Sequence, residues 1–229
     1  MCSTARSQVQ AFRPTPVCYI EKPEIGALLE AHSAVTKLGC RDRALLLFLY
    51  NSGARAEEAA KLCIEYLTLH SGADGTLSSV CLHGKGGKVR ICPLWVSTTV
   101  TLKNLVAGRD GKERVFLNRR SGPVTRFGIH EIVTQYAHAA MGCAPDMYKK
   151  RIGPHTIRHT AATHLLRAGV DINTIRAWLG HVSINTTSIY SETDLEMKVK
   201  ALGLCAVKSK RSLKRWGEDP DLMSFLAQI

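Results

Sequence analysis

Hydrophobic residues recur along most of this chain at the spacing of amphipathic helices, three and four positions apart. In the middle of the chain, residues from about Ile64 to Pro93 alternate instead and predict a small antiparallel sheet. Its clearest part is a hairpin formed by Ser79–Leu82 and Val89–Leu94. The predicted helices are Ile25–Leu38, Arg41–Tyr50, a short helix beginning near Arg55, Ser97–Ala107, Thr125–Met141, His155–Ala168, Ile172–Leu179 and roughly Thr193–Leu202. We therefore expect a mainly α fold with a small antiparallel β-sheet, an α+β arrangement that builds one core.

The turn of the predicted hairpin combines glycine with positive charge. It runs from His83 to Arg90 and contains Lys85 between two glycines and Lys88 three residues later. Lysine and glycine are common at exposed hairpin ends, so one interpretation is a solvated basic turn. The other is that Lys85 is carried on a mobile loop tip to act on a bound group.

Two further segments place arginine at the start of a helix. In a helix beginning near His155, Arg158 follows three residues later, so both side chains share a face and can bind one anion. A guanidinium matches two phosphate oxygens at once and stays charged at neutral pH. Arg55 occupies a first helical turn, where backbone donors also face an anion. Glu58 either holds the Arg55 guanidinium or is an ordinary charge near a helix N-terminus.

Taken in order, these motifs resemble a known family. The order is Arg55 with Glu58, Lys85 in a β-turn, His155 with Arg158, the run Leu179-Gly180-His181, and Tyr190 nine residues after His181. This order is similar to that of the catalytic domain of the tyrosine recombinases, also called the phage integrase family. The resemblance extends from about Ile20 to about Leu202, and it implies the tyrosine recombinase catalytic-domain fold.

The resemblance also implies a role for each residue in cutting and rejoining DNA strands. Tyr190 would be the nucleophile that attacks the scissile phosphate and forms a 3′-phosphotyrosyl link with a free 5′-hydroxyl. Arg55 and Arg158 would bind the non-bridging oxygens and stabilise the transition state. Lys85 would protonate the departing 5′-oxygen, and Lys88 is the alternative for that role.

The remaining implied roles concern protons and support. His155 would be a general acid or base, and His181 would donate a hydrogen bond to the phosphate. Glu58 would be a supporting carboxylate, although Glu57 is the other residue that aligns with the family pattern. Tyr148 is a nearby rival to the proposed nucleophile, but it lacks the spacing from a histidine.

Elementary chemistry is consistent with these roles. A phenol has a pKa near 10, so it needs a base or a strongly positive field to become nucleophilic at neutral pH. Two arginines, a lysine and two histidines supply both. Because the covalent link conserves the energy of the broken phosphodiester, we expect no ATP requirement, and with arginines binding the phosphate we expect no divalent ion or other cofactor.

Charge points to the same class of partner. The net charge of +12 and the pI near 9.5 suit a polyanion, here double-stranded DNA. The residues expected to contact the DNA backbone are Lys88, Arg90, Arg119, Arg120, Arg126, Lys149, Lys150 and Arg151. The eight cysteines are scattered without a CxxC pair, which predicts reduced thiols rather than a zinc site. Neither a signal peptide nor a transmembrane run is evident, so we expect a soluble cytoplasmic protein with no membrane partner.

The sequence divides into three parts. Residues 1–20 suit a linker remnant or N-terminal extension, residues 21–204 the catalytic domain, and residues 205–229 a basic segment followed by an amphipathic helix. We expect a fragment of a longer recombinase, with a minimal recombinase as the alternative. The terminal stripe formed by Leu222, Phe225, Leu226 and Ile229 either docks on a neighbouring protomer in a homotetramer on DNA or packs on its own domain.

Three functions fit these observations. The first is a site-specific recombinase or integrase that acts through Tyr190, as in mobile elements. The second is a type IB topoisomerase, against which the compact spacing from His181 to Tyr190 argues. The third is a DNA-binding relative that has lost catalysis, against which the complete set of residues argues.

Overall fold

The computed structural model describes residues 18–31, 36–70 and 76–180, apart from the side chain of Lys85. Within these ranges the chain forms seven α-helices and one sheet of three strands. The helices are α1 (Lys22–Glu30), α2 (Lys37–Ser52), α3 (Ala56–Lys61), α4 (Val96–Val106), α5 (Arg126–Ala140), α6 (Pro154–Arg167) and α7 (Ile172–Leu179). The strands are β1 (Leu67–Thr68), β2 (Ser79–His83) and β3 (Val89–Pro93), and short 3-10 turns cover Ile64–Tyr66, Lys85–Gly87 and Pro145–Lys149. The predicted mainly α fold with a small antiparallel sheet is confirmed.

The first two helices begin and end at different residues from those predicted. The helix predicted to reach Leu38 ends at Glu30, and α2 starts at Lys37 rather than at Arg41. The reason is a cap, because the Thr36 hydroxyl accepts a hydrogen bond from the Gly39 backbone N–H at 3.0 Å. Such a cap fixes a helix start that apolar spacing alone does not reveal. The helix predicted near Thr193–Leu202 lies outside the described residues.

Helix α2 forms the centre of the core. Its residues Leu45, Leu46, Phe48 and Leu49 are almost fully buried. The helix packs against α1, α3, α4 and α6, so most of the fold is assembled around it. The ring of Phe48 lies 5.6 Å from that of Phe116, which closes the core on the side of the α4–α5 connection.

The sheet is antiparallel with the order β1-β2-β3. In its hairpin, Ser79 pairs with Pro93 and His83 pairs with Val89, so the predicted hairpin is confirmed. The turn between these strands is the 3-10 segment Lys85–Gly87, whose two glycines have positive φ. The sheet turns Val80 and Leu82 of β2 into the core and leaves the end of the hairpin exposed.

Gly53 joins α2 to the segment that carries Arg55. Its φ of +58° lies in the left-handed region, where residues with a Cβ are strained. A Cβ at this position would also overlap the side chain of Leu179 at the end of α7. The glycine therefore lets the end of α7 pack directly against the turn before α3.

A helix that crosses a bilayer must be both long and predominantly apolar. None of the helices in the described ranges combines that length with that apolar content.

Candidate active site

Arg55 is the N-cap residue of α3, and its side chain is 33% exposed at the edge of a cleft. Glu58 holds it twice. One carboxylate oxygen, Oε1, accepts a hydrogen bond from Arg55 Nη1 at 2.8 Å, and Oε2 accepts one from the Arg55 backbone N–H at 2.8 Å. Glu57 instead pairs with Lys61 on the surface, at 2.8 Å. Of the two glutamates that the sequence offered, Glu58 is thus the one that orients Arg55.

Arg90 binds the same carboxylate from the opposite side. Its Nη2 lies 2.6 Å from Glu58 Oε2 and its Nη1 lies 3.1 Å from Oε1, while Nε donates to the carbonyl oxygen of Trp178 at 2.9 Å. The side chain is only 9% exposed. The interior carboxylate and the end of α7 thus bind all three guanidinium nitrogens, and contact of Arg90 with the DNA backbone stays a prediction.

The charges of this pair stabilise each other. Burial raises the pKa of Glu58, but hydrogen bonds from Arg90 and Arg55 and the charge of Arg90 outweigh it and leave that pKa below its usual value. Burial lowers the pKa of Arg90, and its hydrogen bond and charge interaction with Glu58 raise the pKa above its usual value. Both groups are therefore ionised at neutral pH.

Arg158 reaches the same region from α6. Its Nη1 donates to the carbonyl oxygen of Gly53, and its Nη2 donates to that of Leu179 at 2.6 Å. The residue is only 4% exposed. The two arginines predicted to bind phosphate are thus joined through the turn that links Gly53 to Arg55.

The two histidines beside Arg158 have different surroundings. His155 lies in the first turn of α6 and is exposed. His159 is half-buried, and burial, followed by the charges of His155 and Arg158, lowers its pKa to about 4. His159 is therefore neutral at physiological pH, a property that the spacing of the motif did not reveal.

The hairpin forms another wall of the cleft. Lys85 lies in the turn at its tip, and the position of the Lys85 side chain is outside what the structure describes. Lys88 is exposed and lines the cleft together with Arg55. Lys85 and Lys88 therefore both remain candidates for the residue that protonates the leaving group.

His181 and Tyr190 lie outside the described residues, as does the terminal segment that carries Leu222 to Ile229. The described chain ends at Gly180, which lines the cleft and has a φ of +65°. Tyr148, the rival nucleophile, is exposed in the turn Pro145–Lys149 and is absent from the described residues that line this cleft.

The cleft has a volume of about 1120 Å³ and lies between the start of α3, the hairpin and α7. Several polar residues that line the cleft were not predicted from the sequence. They are Lys61, His83, Asn173, Thr174 and Arg176. On α7 a signal was present, because its buried residues Ile175 and Leu179 are four apart and leave the polar positions facing away from the core.

Of the other residues predicted to contact DNA, five are exposed at the surface and one is half-buried in an ion pair. The exposed ones are Arg119, Arg120, Arg126, Lys149 and Arg151. Arg119 and Arg120 lie in a tight turn in which the Asn118 side chain accepts hydrogen bonds from two backbone N–H groups. Lys150 differs, because its ammonium binds both oxygens of Glu24 at 2.6 and 2.8 Å.

The order of these residues along the chain agrees with a match to a known protein family. The model described as the phage integrase family matches residues 19–197. The chain belongs to the phage integrase family. The match contains both arginine motifs, the hairpin and the position of Tyr190.

Curated members of the phage integrase family are similar over most of this chain. Tyrosine recombinase XerC of Pelobacter propionicus is 35% identical over 181 residues, which cover 78% of this chain and 56% of that protein. Tyrosine recombinase XerD of Listeria monocytogenes is 37% identical over 184 residues, which cover 76% of this chain and 58% of that protein. The chain therefore corresponds to little more than half the length of these relatives.

Solved structures of family members share the fold. XerA recombinase superposes with a TM-score of 0.68 at 23% identity, covering 86% of this chain and 68% of that one. The Tn1549 transposon integrase, in complex with circular intermediate DNA, superposes with a TM-score of 0.66 at 18% identity, covering 84% of this chain and 68% of that one. The arrangement of helices and sheet is thus that of tyrosine recombinase catalytic domains.

Proposed function

We propose that this chain is the catalytic part of a site-specific DNA recombinase that cleaves and rejoins strands through a covalent link to Tyr190. Membership of the phage integrase family supports this function. The observation that carries the proposal is the contact of Arg158, from α6, with the carbonyl oxygen of Gly53, two residues before the Arg55 that lines a basic cleft.

In this proposal the arginines act on the scissile phosphate. Arg55 presents its exposed guanidinium to one non-bridging oxygen, and Glu58 keeps that guanidinium in one orientation. Arg158 binds a second non-bridging oxygen through its guanidinium. Donors that are fixed before the reaction stabilise developing charge without a cost of reorganisation, which is the usual source of large rate effects.

The covalent step exchanges one phosphoester for another. The Tyr190 oxygen attacks phosphorus, the bond from phosphorus to the 5′-oxygen breaks, and the 5′-oxygen leaves with a proton from Lys85 or Lys88. His155 accepts the proton of the phenol, and His181 donates a hydrogen bond to the phosphate. Attack by a 5′-hydroxyl on the phosphotyrosine reverses these steps and rejoins a strand.

The exposed cations extend this site into a surface for double-stranded DNA. Lys88 lies in the cleft, and Arg119, Arg120 and Arg126 follow one another in the chain from the turn after Asn118 into α5. Lys149 and Arg151 lie just before the start of α6. Contacts of this kind neutralise phosphates and make affinity fall with salt.

Three finer properties belong to the same proposal. Recombination between two duplexes calls for four active sites, so we propose a homotetramer on DNA, with the segment that contains Leu222 and Phe225 docked on a neighbour. We also propose action in the cytoplasm and on a mobile element. Sedimentation of the protein on paired sites tests the tetramer directly, and removal of residues 213–229 should leave protomers that no longer assemble.

The central proposal can be tested on DNA whose recombination site is unknown. The protein is incubated with fragmented genomic DNA, the reaction is stopped with SDS, and protein-linked DNA is purified and sequenced. Tyr190→Phe is treated identically, and it keeps the ring while removing the nucleophilic oxygen. Enrichment of one sequence by the wild-type chain, and its loss in the variant, is the expected result. Equal amounts of linked DNA from both proteins would refute the role of Tyr190.

A further inference from the structure

Arg90 lies at a junction of three segments that carry the proposed site. Its guanidinium binds Glu58 through two nitrogens and the Trp178 carbonyl through the third. We infer that Arg90 is a positioning residue, which holds Arg55 and the end of α7 in one arrangement for strand cleavage. This inference rests on the proposed function, because the step it affects is that cleavage.

The first connection runs to Arg55. Both arginines bind the Glu58 carboxylate, with Arg55 Nη1 2.8 Å from Oε1 and Arg90 Nη2 2.6 Å from Oε2. Arg55 is partly exposed, whereas the Arg90 side chain is buried. The buried arginine therefore fixes the carboxylate, and the carboxylate fixes the arginine that faces the cleft.

The second connection runs to α7. The last carbonyl groups of a helix have no partner within the helix. Here the carbonyl oxygen of Trp178 accepts a hydrogen bond from Arg90 at 2.9 Å, and that of Leu179 accepts one from Arg158 at 2.6 Å. The next residue, Gly180, passes so close that an added Cβ would lie 3.2 Å from Cδ and Nη1 of Arg90. Arg90 therefore sets where the chain leaves α7 toward His181.

The third connection runs to the hairpin. Arg90 is itself a residue of β3, and it pairs with Leu82 across the hairpin. At the base of the turn, an added Cβ on Gly84 would lie 3.4 Å from Glu58 Oε1 and 3.7 Å from Arg90 Nη1. The base of the hairpin that carries Lys85 thus packs against the Glu58–Arg90 pair.

A lysine at position 90 cannot form all the contacts that Arg90 makes. A guanidinium offers donors in a rigid planar fork, whereas an ammonium is a single point with flexible geometry. Arg90→Lys keeps the charge beside Glu58, so the carboxylate is not left without a counter-ion. It cannot at the same time form the two-contact pair and reach the Trp178 carbonyl. Loss of alignment, rather than loss of charge, is what this substitution tests.

The experiment measures single-turnover cleavage of a nicked duplex that carries the sequence captured by the wild-type chain. We expect Arg90→Lys to cleave about 10- to 100-fold more slowly, as small misplacements of catalytic groups typically do. Duplex affinity and its salt dependence should change little, because lysine keeps the positive charge at position 90. In an Arg55→Ala background the same substitution should slow cleavage by a smaller factor than in the wild type, because only the connections to α7 and the hairpin are then left to lose.

Arg41 provides the matched control. It is also a buried arginine that pairs with a carboxylate, at 2.6 Å to Asp42, and donates to a carbonyl oxygen, at 2.7 Å to Leu117. It is absent from the described residues that line the cleft. Arg41→Lys should therefore lower the melting temperature without slowing cleavage by the folded protein. A merely structural role for Arg90 would make the two variants behave alike.

Hydrogen exchange provides a readout that does not depend on cleavage. In Arg90→Lys, the amides of the last turn of α7 and of the turn at Arg55 should exchange faster, and in Arg41→Lys they should not. Wild-type cleavage rates in Arg90→Lys, or unchanged exchange at both places, would overturn the positioning role. Absence of cleavage by the wild-type chain would refute the proposed function instead, and exchange would still decide whether Arg90 holds α7.

Discussion

The guanidinium of Arg158 donates a hydrogen bond to the carbonyl oxygen of Gly53, which lies 105 residues earlier in the chain. Arg55 follows Gly53 by two positions, so this contact fixes one arginine of the proposed phosphate site relative to the other. Their arrangement is therefore built into the fold in the absence of DNA. Contacts of this kind around the cleft lead to four further predictions.

The first prediction separates the two glutamates of α3. Glu58→Gln removes a buried negative charge from between Arg55 and Arg90, which should lower the free energy of unfolding by about 2–4 kcal/mol. Cleavage by the folded protein should also slow, because Arg55 loses its ion pair. Glu57→Gln is the control, since Glu57 pairs only with the exposed Lys61. Urea unfolding and cleavage rates that are equally affected in both variants would contradict this assignment.

The second prediction concerns the turn before Arg55. Gly53→Ala places a Cβ at a φ of +58° and against the Leu179 side chain, so it should destabilise the protein by about 2–3 kcal/mol. Gly26→Ala is the matched substitution in α1, where nothing lies within 4 Å of the added carbon. That change should stabilise by about 0.5–1 kcal/mol, as alanine does inside helices. Urea denaturation distinguishes the opposite signs.

The third prediction is a pH dependence of stability that originates at His159. Its pKa is about 4 in the folded chain and near 6.5 in an unfolded one, so the unfolded chain binds more protons between these values. Stability should therefore be full above pH 6.5 and should fall as the pH drops toward about 4. His159→Gln should reduce this loss, which melting temperatures across the range will measure. A variant with the wild-type slope would show that other groups carry the dependence.

The fourth prediction tests the cap of α7. The Asp171 side chain accepts hydrogen bonds from the backbone N–H groups of Asn173 and Thr174, at 2.9 and 3.0 Å. Asp171→Ala should lower the melting temperature by about 2–4 °C and speed amide exchange in the first turn of α7. Asp171→Asn keeps an accepting oxygen and should lose less. Equal losses in both variants would mean that the cap contributes through charge alone.

Much of the fold was predictable because its signals are local. The apolar spacing of α7 and the glycine-rich turn of the hairpin each depend on a few neighbouring residues. The early start of α2 was missed because the cap at Thr36 fixes it within an apolar pattern that predicted one continuous helix to Leu38. A single side-chain hydrogen bond of 3.0 Å determines that boundary, and the spacing of apolar residues does not predict it.

In the site, residue types were predictable but their partners were not. Spacing placed Arg55 and Arg158 at helix starts, and the structure joins them through Gly53. Arg90 was assigned to the DNA surface because its motif is basic, yet it pairs with Glu58, 32 residues away in the chain. Contacts between distant segments depend on packing, and a single sequence does not encode them in any short motif.

The measurement that tests the central claim most directly identifies the amino acid that becomes linked to DNA. Wild-type protein is trapped on a nicked duplex that carries its captured site, the DNA is digested with nuclease, and the peptides are analysed by mass spectrometry. We predict that the residual nucleotide lies on the peptide containing Tyr190, attached to the phenolic oxygen through its 3′-phosphate. A nucleotide on Tyr148, or on any residue other than Tyr190, would contradict the proposed mechanism.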